Sequence, residues 1–298
     1  MLKKIRRCIY KNIIYFKDAI YKKMVTLNIM NFDETLDYIN REHCSVSRYG
    51  DGEFGIMLGG TIGFQGNEAL LVDQLKAIVK CGDNGATKCL ICIPGYWANE
   101  KLYTEGVSSF WMKVLPFEGR RRKYYRLCSK TYQYGNADIT RCYLGIFDKK
   151  SVKRYFGKWK EIWDKRDVFV IEGEFTRLGI GTDLFNNVKS LKRILCPAEN
   201  AFKRINRIEE YIKSNIEKNA LILIALGPTA TVLCYKLSQQ GYWAIDIGNI
   251  DKEYEWYTMG AKEKMRNPVK YSIEVSNGTY VQGCFDKAYQ DSIIYRIS

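Results

Sequence analysis

The sequence predicts an α/β protein: a Rossmann-like, mostly parallel sheet with helices on both faces and a helical insertion. Three observations lead there. Short apolar runs such as Leu90-Ile91-Cys92-Ile93 have the unbroken hydrophobicity of strands covered on both faces. Single helical patterns join successive runs, most clearly in residues 220–247. There a strand (220–226), the turn Gly227-Pro228, a helix (229–240) with Thr229 as N-cap and Gly241 closing it, and a strand (243–247) follow one another. Polar, glycine-bearing segments come directly after the strands, where such sheets bind ligands.

In chain order, residues 1–24 read as a basic amphipathic helix. Leu2, Ile5, Ile9, Ile13, Phe16, Ile20 and Met24 recur every three or four positions, with Lys3, Lys4, Arg7, Lys11 and Lys22 opposite. Such a helix suits a membrane surface or packing on its own domain, and the reading favours peripheral membrane contact. Residues 1–30 are therefore set apart from a main domain of 31–298. The alternation opens with a strand at 44–49, a helix at 67–80 capped by Asn67, and a strand at 88–93 ended by Pro94-Gly95. Residues 97–165, rich in aromatics and arginine, read as the helical insertion, with a loop–strand return at 136–146. Strands at 168–171 and 193–196 and a helix at 201–217 resume the pattern.

Composition narrows the class. The 298 residues are 46% apolar, and no uncharged apolar run approaches the roughly 20 residues that span a bilayer. The basic start lacks the apolar core of an export signal, which predicts a cytoplasmic protein, at most peripheral to the inner face of the membrane. Ten cysteines, several within strand-like runs, read as buried free thiols. Cys89-x2-Cys92 has no second pair with zinc spacing. A net charge of +14 calls for an anionic partner: nucleic acid, acidic lipid or a phosphorylated small molecule.

Three strand-end segments carry the candidate chemistry. The first is Arg48-Tyr49-Gly50-Asp51-Gly52-Glu53-Phe54. Asp51 and Glu53 offer the hard oxygen ligands a divalent cation needs, Gly50 and Gly52 allow close backbone approach, and Arg48 could contact phosphate. An acidic turn is the plainer reading. The second, residues 171–185, sets Glu172 and Glu174 around a glycine, then Arg177 and a glycine-rich turn able to present N–H groups to phosphate. Its plainer reading is a loop in which Arg177 pairs with one of those glutamates. The third joins Gly227-Pro228-Thr229 to the acid- and aromatic-rich stretch 246–257, suited to gripping and stacking on a sugar or to an ordinary charged helix.

Together these stretches resemble the GT-D-fold glycosyltransferases. The resemblance runs through residues 48–54 with Phe64-Gln65, then 173–185, 193–202, 226–233 and 246–256, in order across about residues 35–265. It implies a nucleotide-diphosphate-sugar donor (a UDP-sugar, UDP-glucose in the family's described activity), a divalent metal (manganese or magnesium) and a role in bacterial surface glycans. The family's acid-x-acid metal motif falls on Asp51 and Glu53. Arg48, Gly50, Gly52, Arg177, Gly227, Pro228, Thr229, Asp246 and Asn249 would surround the donor. Where the family pattern reads Asp-Ile-Gly-His, this chain has Asn249, and an amide cannot accept a proton. The base would then be Asp251, Glu253 or Glu255, unless donor or acceptor chemistry has changed. The expected partners are the donor and a glycan acceptor, protein- or lipid-linked, with no nucleic acid. The rival readings are a basic nucleic-acid-binding module and a membrane-surface scaffold without catalysis.

Overall fold

The computed structural model describes the backbone of residues 2–81 and 88–298 and the side chains of residues 12–80 and 88–298. The side chains of Leu2, Lys3, Lys4, Ile5, Arg7, Ile9 and Lys11, named above, and of two of the ten cysteines, Cys8 and Cys81, lie outside the described residues.

Among the described residues nine strands form one parallel sheet. They are β1 (Asn28–Ile29), β2 (Ser45–Arg48), β3 (Cys89–Ile93), β4 (Gln133–Asn136), β5 (Asp167–Gly173), β6 (Ser190–Cys196), β7 (Leu221–Ala225), β8 (Trp243–Asp246) and β9 (Ile293–Arg296). Their order is β1-β4-β3-β2-β8-β7-β5-β6-β9. The apolar runs fill the middle: β3 is buried at all five positions, and β5 at six of seven. This is the α/β, both-faces-covered architecture that the unbroken runs predict.

The helices are α1 (Leu2–Met24), α2 (Phe32–Glu42), α3 (Asp51–Met57), α4 (Ala69–Cys81), α5 (Glu105–Val114), α6 (Arg120–Leu127), α7 (Val152–Trp163), α8 (Ile205–Asn215), α9 (Pro228–Ser238), α10 (Ile250–Thr258) and α11 (Lys287–Ser292). Right-handed crossovers sort them by direction of travel. Where the chain steps toward the β1 edge, through α4, α8 and α9, the helices pack together on one face. Where it steps toward the β9 edge, α2 and α7 pack together, and Phe156 of α7 meets Tyr254 and Tyr257 of α10 on the other face. At the centre, β2 and β8 are neighbours whose following helices leave for opposite faces. That divergence opens a crevice above their carboxyl ends.

The β2–β8 seam is thin, with one register pair, Val46 and Ile245. Side chains reinforce it. The Ser45 hydroxyl donates to the Tyr242 carbonyl at 3.0 Å and accepts from the Ala244 N–H at 2.9 Å, and Trp243 Nε1 donates to the Cys44 carbonyl.

Several sequence expectations shift. Asn67 does not cap α4; its amide donates to the Ile56 and Gly60 carbonyls at 2.9 Å, tying down the preceding turn. Gly227, not Thr229, is the N-cap of α9, because Pro228 takes the first helical position, where its missing N–H costs nothing. Segment 97–165 holds α5, α6 and α7 but also β4, which pairs with β1 and β3. Its strand ends at residue 136 rather than following it. The edge strands β1 and β9 escaped the pattern reading, β1 because it has two residues and β9 because its edge position leaves it partly exposed, without a buried apolar run.

Candidate active site

A cleft of 730 Å³ lies over the carboxyl ends of β2 through β8. Its floor is backbone from the strand ends: Gly50, Pro94, Ala137, Gly173, Pro197 and Gly227. Two glycines are required by close approach. Gly248, at φ 47°, lies so near Arg48 that a Cβ would sit 1.8 Å from its Nη2, and at Gly227 (φ 54°) a Cβ would meet the Phe64 ring at 2.4 Å.

Asp51 and Glu53 both line the cleft, in the first turn of α3. Residues two apart on a helix do not face the same way, so their environments differ. Asp51 is exposed and free to bind a ligand. Glu53 is half-buried, and its Oε2 accepts from the Gly50 N–H at 2.7 Å, fixing the helix start. Loss of water pushes its pKa up to about 7, with the charges of Asp246 and Asp51 adding to the rise. Asp246, buried at the end of β8, completes this acidic wall.

Arg48 spends its fork within the protein. Its Nε and Nη2 donate to the carbonyl and carboxylate of Asp246 at 2.9 and 2.8 Å, and its Nη1 donates to the Ala137 carbonyl at 3.0 Å. It therefore binds β2 to β8 and to the end of β4, with two N–H groups left over.

A cluster of cations in the same cleft was missed by sequence reasoning. Arg141, Lys252, Lys262 and Lys264 all line the cleft, around Glu274. Glu274 accepts from Arg141 at 2.7 Å and Asn249 Nδ2 at 2.9 Å, and pairs with Lys264 at 2.9 Å. Burial alone would raise the pKa of Glu274, but Arg141, Lys252 and Lys264 override it and hold the carboxylate well below its ordinary range. Lys262, Lys264 and Glu274 belong to an irregular strap, residues 261–285, beyond the last helical pattern. Arg141 sits in the aromatic region. Neither stretch carries a periodic or glycine-rich signal that would have singled them out.

The three candidate bases part company. Glu253 lines the cleft, its Oε2 held by the N–H groups of Tyr143 and Leu144 at 2.8 and 2.9 Å, and burial raises its pKa. Asp251 also reaches the cleft, but both its oxygens are engaged, by the Gly179 N–H and by Lys270. Glu255 does not line the cleft; it bonds Asn267 and Lys270 beneath the strap.

Nor does the structure bring Arg177 to the cleft. Its backbone sits at φ 52°, and its Nη1 donates to the Val269 and Gln282 carbonyls at 2.6 and 2.8 Å, stapling the strap to the body. The partner of Glu172 is not Arg177 but Arg193, at 2.8 Å in the core. Pro228 and Thr229 are buried in α9 behind the cleft floor, and the Thr229 hydroxyl has no partner. Gly50, Gly52, Gly227, Asp246 and Asn249 do line it.

This chain has relatives with the same architecture. Residues 46–275 match the family described as "Glycosyltransferase GT-D fold". Glycosyltransferase GlyD of Streptococcus pneumoniae serotype 4 is 36% identical over 285 residues, 94% of this chain and 34% of that protein. A probable glycosyl transferase Gly of Streptococcus gordonii is 34% identical over 91% of this chain and 39% of that protein. The chain thus spans somewhat over a third of the length of these relatives. Among solved structures, one described as "The highly conserved domain of unknown function 1792 has a distinct glycosyltransferase fold" superposes with a TM-score of 0.87 at 35% identity, over 95% of this chain and all of that one. "A New Glycosyltransferase (DUF1792) from Streptococcus sanguinis" superposes with a TM-score of 0.85 at 32% identity, over 92% of this chain and all of that one. With its crevice at the sheet's switch point and family match across residues 46–275, the chain belongs to the GT-D-fold glycosyltransferase family.

Proposed function

We propose that the chain transfers a sugar from a nucleotide-diphosphate-sugar, a UDP-sugar first among them, to a glycan acceptor with the help of a divalent metal. The observation that carries this reading is that one cleft gathers both charges: the carboxylates Asp51, Glu53 and Asp246 close to one another, and Arg141, Lys252 and Lys264 around Glu274. A metal–diphosphate pair is complementary to that arrangement, whereas a bare polyanion such as nucleic acid would meet the acidic wall unscreened.

The donor set fits manganese or magnesium. Among the described residues no group of three or more carboxylate, histidine or cysteine ligands comes together. Hard cations on nucleotide substrates need no such cage, because one or two carboxylates and the phosphates complete the shell. Asp51 would supply the free carboxylate and Glu53 its remaining oxygen. When bound, the metal would neutralise charge growing on the departing diphosphate.

The residues of the chain do the rest. Arg141, Lys252 and Lys264 offset the remaining phosphate charge, with Glu274 holding them in place. Asn249 anchors to Glu274 and so serves as a strut, not a proton acceptor. Glu253, oriented by two backbone N–H groups and raised in pKa by burial, is the carboxylate best placed to take the acceptor's proton.

Isothermal titration with UDP, with and without manganese, tests the site. Asp51→Ala is expected to abolish the metal-dependent part of binding. Glu253→Gln is expected to keep donor binding and lower turnover by roughly 10²–10⁴-fold. UDP binding that ignores both manganese and Asp51→Ala would sink the assignment.

A further inference from the structure

We propose that the outward face of α1 docks the protein on an anionic lipid surface. A helix packed on a globular body normally turns its apolar stripe inward. Over the described side chains of α1, residues 12–24, the larger apolar stripe faces outward. The inward face is held by polar and aromatic contacts: Asp18 receives Arg121 at 2.9 Å, Lys22 pairs with Glu100, and Tyr21 meets Tyr125 with ring centres 6.1 Å apart. The outward face carries Ile13, Phe16, Ile20 and Met24, which are 46, 68, 43 and 75% exposed. Their spacing of three, four and four residues makes one continuous ridge.

Charge selects the occupant. Lys17 and Lys23 lie exposed on the same outward face, and the one acid between residues 12 and 24, Asp18, is turned inward onto Arg121. The neighbouring α6, packed against α1 through Arg121 and Tyr125, has no acid and exposes Arg122, Lys123 and Arg126. Phe117, 52% exposed, lies in the turn that also packs on α1, with the Arg120 guanidinium over its ring and the exposed Glu118 beside it. A narrow apolar ridge flanked by lysines matches the boundary between acyl chains and acidic headgroups, where the rings and branched chains enter and the ammonium groups stay at the phosphates.

The inward face of α1 is joined to the cleft by a series of rings that begins with the Tyr21–Tyr125 contact. Tyr125 contacts Trp97 at 5.3 Å between ring centres, Trp97 contacts Trp111 at 5.7 Å, and Trp111 with Phe110 lines the cleft.

Flotation of the 298-residue protein with vesicles of phosphatidylcholine and phosphatidylglycerol, against vesicles of phosphatidylcholine alone, tests the proposal. Binding is expected to the acidic vesicles only and to weaken with salt. The double variant Phe16→Asp, Ile20→Asp, on exposed positions and checked for an unchanged melting temperature, is expected to lose roughly tenfold or more in partitioning. Arg122→Glu with Lys123→Glu is expected to lower binding while leaving the ridge intact. Absence of binding to acidic vesicles, or binding that the ridge variant leaves unchanged, would overturn it. Self-association removed by the ridge variant, without lipid binding, would overturn it too, assigning the ridge to a second copy.

Discussion

At the scale of single residues, Arg48 and Glu274 show how charge in this cleft is put to structural use. Arg48 and Asp246 form a pair with little exposure on either side. Truncating one member leaves the other charged and unpartnered, which costs about 3–5 kcal/mol. Arg48→Ala is therefore expected to destabilise the protein on that scale in urea unfolding, with donor binding lost through displacement of Asp246. Glu274 behaves differently because its pKa falls on folding, from an ordinary value of 4.5. A carboxylate depressed in this way stabilises the native state above its unfolded pKa, and the contribution drains as pH drops toward the folded value. Wild type should melt above Glu274→Gln by its full margin near neutral pH, and the gap should close as pH falls below about 4.5. A gap that stays constant through the acid range would remove Glu274 from the ion cluster.

At the scale of elements, the strap over the cleft is held by buried polar side chains more than by secondary structure. Arg177 grips two of its carbonyls, and Lys270 reaches down to Asp251 and Glu255. Arg177→Ala should loosen residues 261–285, seen as faster cleavage there in limited trypsin digestion, together with a higher KM for the donor as Lys264 and Glu274 lose their footing. Unchanged cleavage would mean that the other anchors, Lys270 and the partners of Glu274 and Asn267, hold the strap without Arg177. The same elements mark where sequence reading succeeds and fails. The core strands β3, β5, β7 and β8 were legible because burial on both faces demands unbroken apolar runs. The segment carrying Asp51 and Glu53 was legible as a strand-end feature that lines the cleft, while the helix α3 that it starts was not read. Arg141, Lys264 and Glu274 were not, since their juxtaposition depends on a strap folding back across the sheet, and no local spacing encodes that return. Arg177 misled for the reverse reason: beside glycines an arginine looks like a phosphate ligand, yet its side chain is turned to backbone carbonyls.

At the scale of the molecule, the sheet joins two sets of strands, β1-β4-β3-β2 and β8-β7-β5-β6-β9, along the β2–β8 seam. The acidic wall lies at that seam, with Asp51 and Glu53 contributed from one side and Asp246 from the other. One register pair, two uses of a serine hydroxyl, the Trp243 indole on the Cys44 carbonyl and the Arg48 fork span it. Such a joint is the line of least resistance for breathing motions. Hydrogen–deuterium exchange should find the Ala244 amide, whose acceptor is the Ser45 hydroxyl, trading its proton faster than the ladder amides of β5, which are paired on both sides. Saturating UDP and manganese should slow it. The hydroxyl of Ser45 thus acts as a latch whose protection factor reports, from below the cleft, whether the two halves are drawn together by what lies between them.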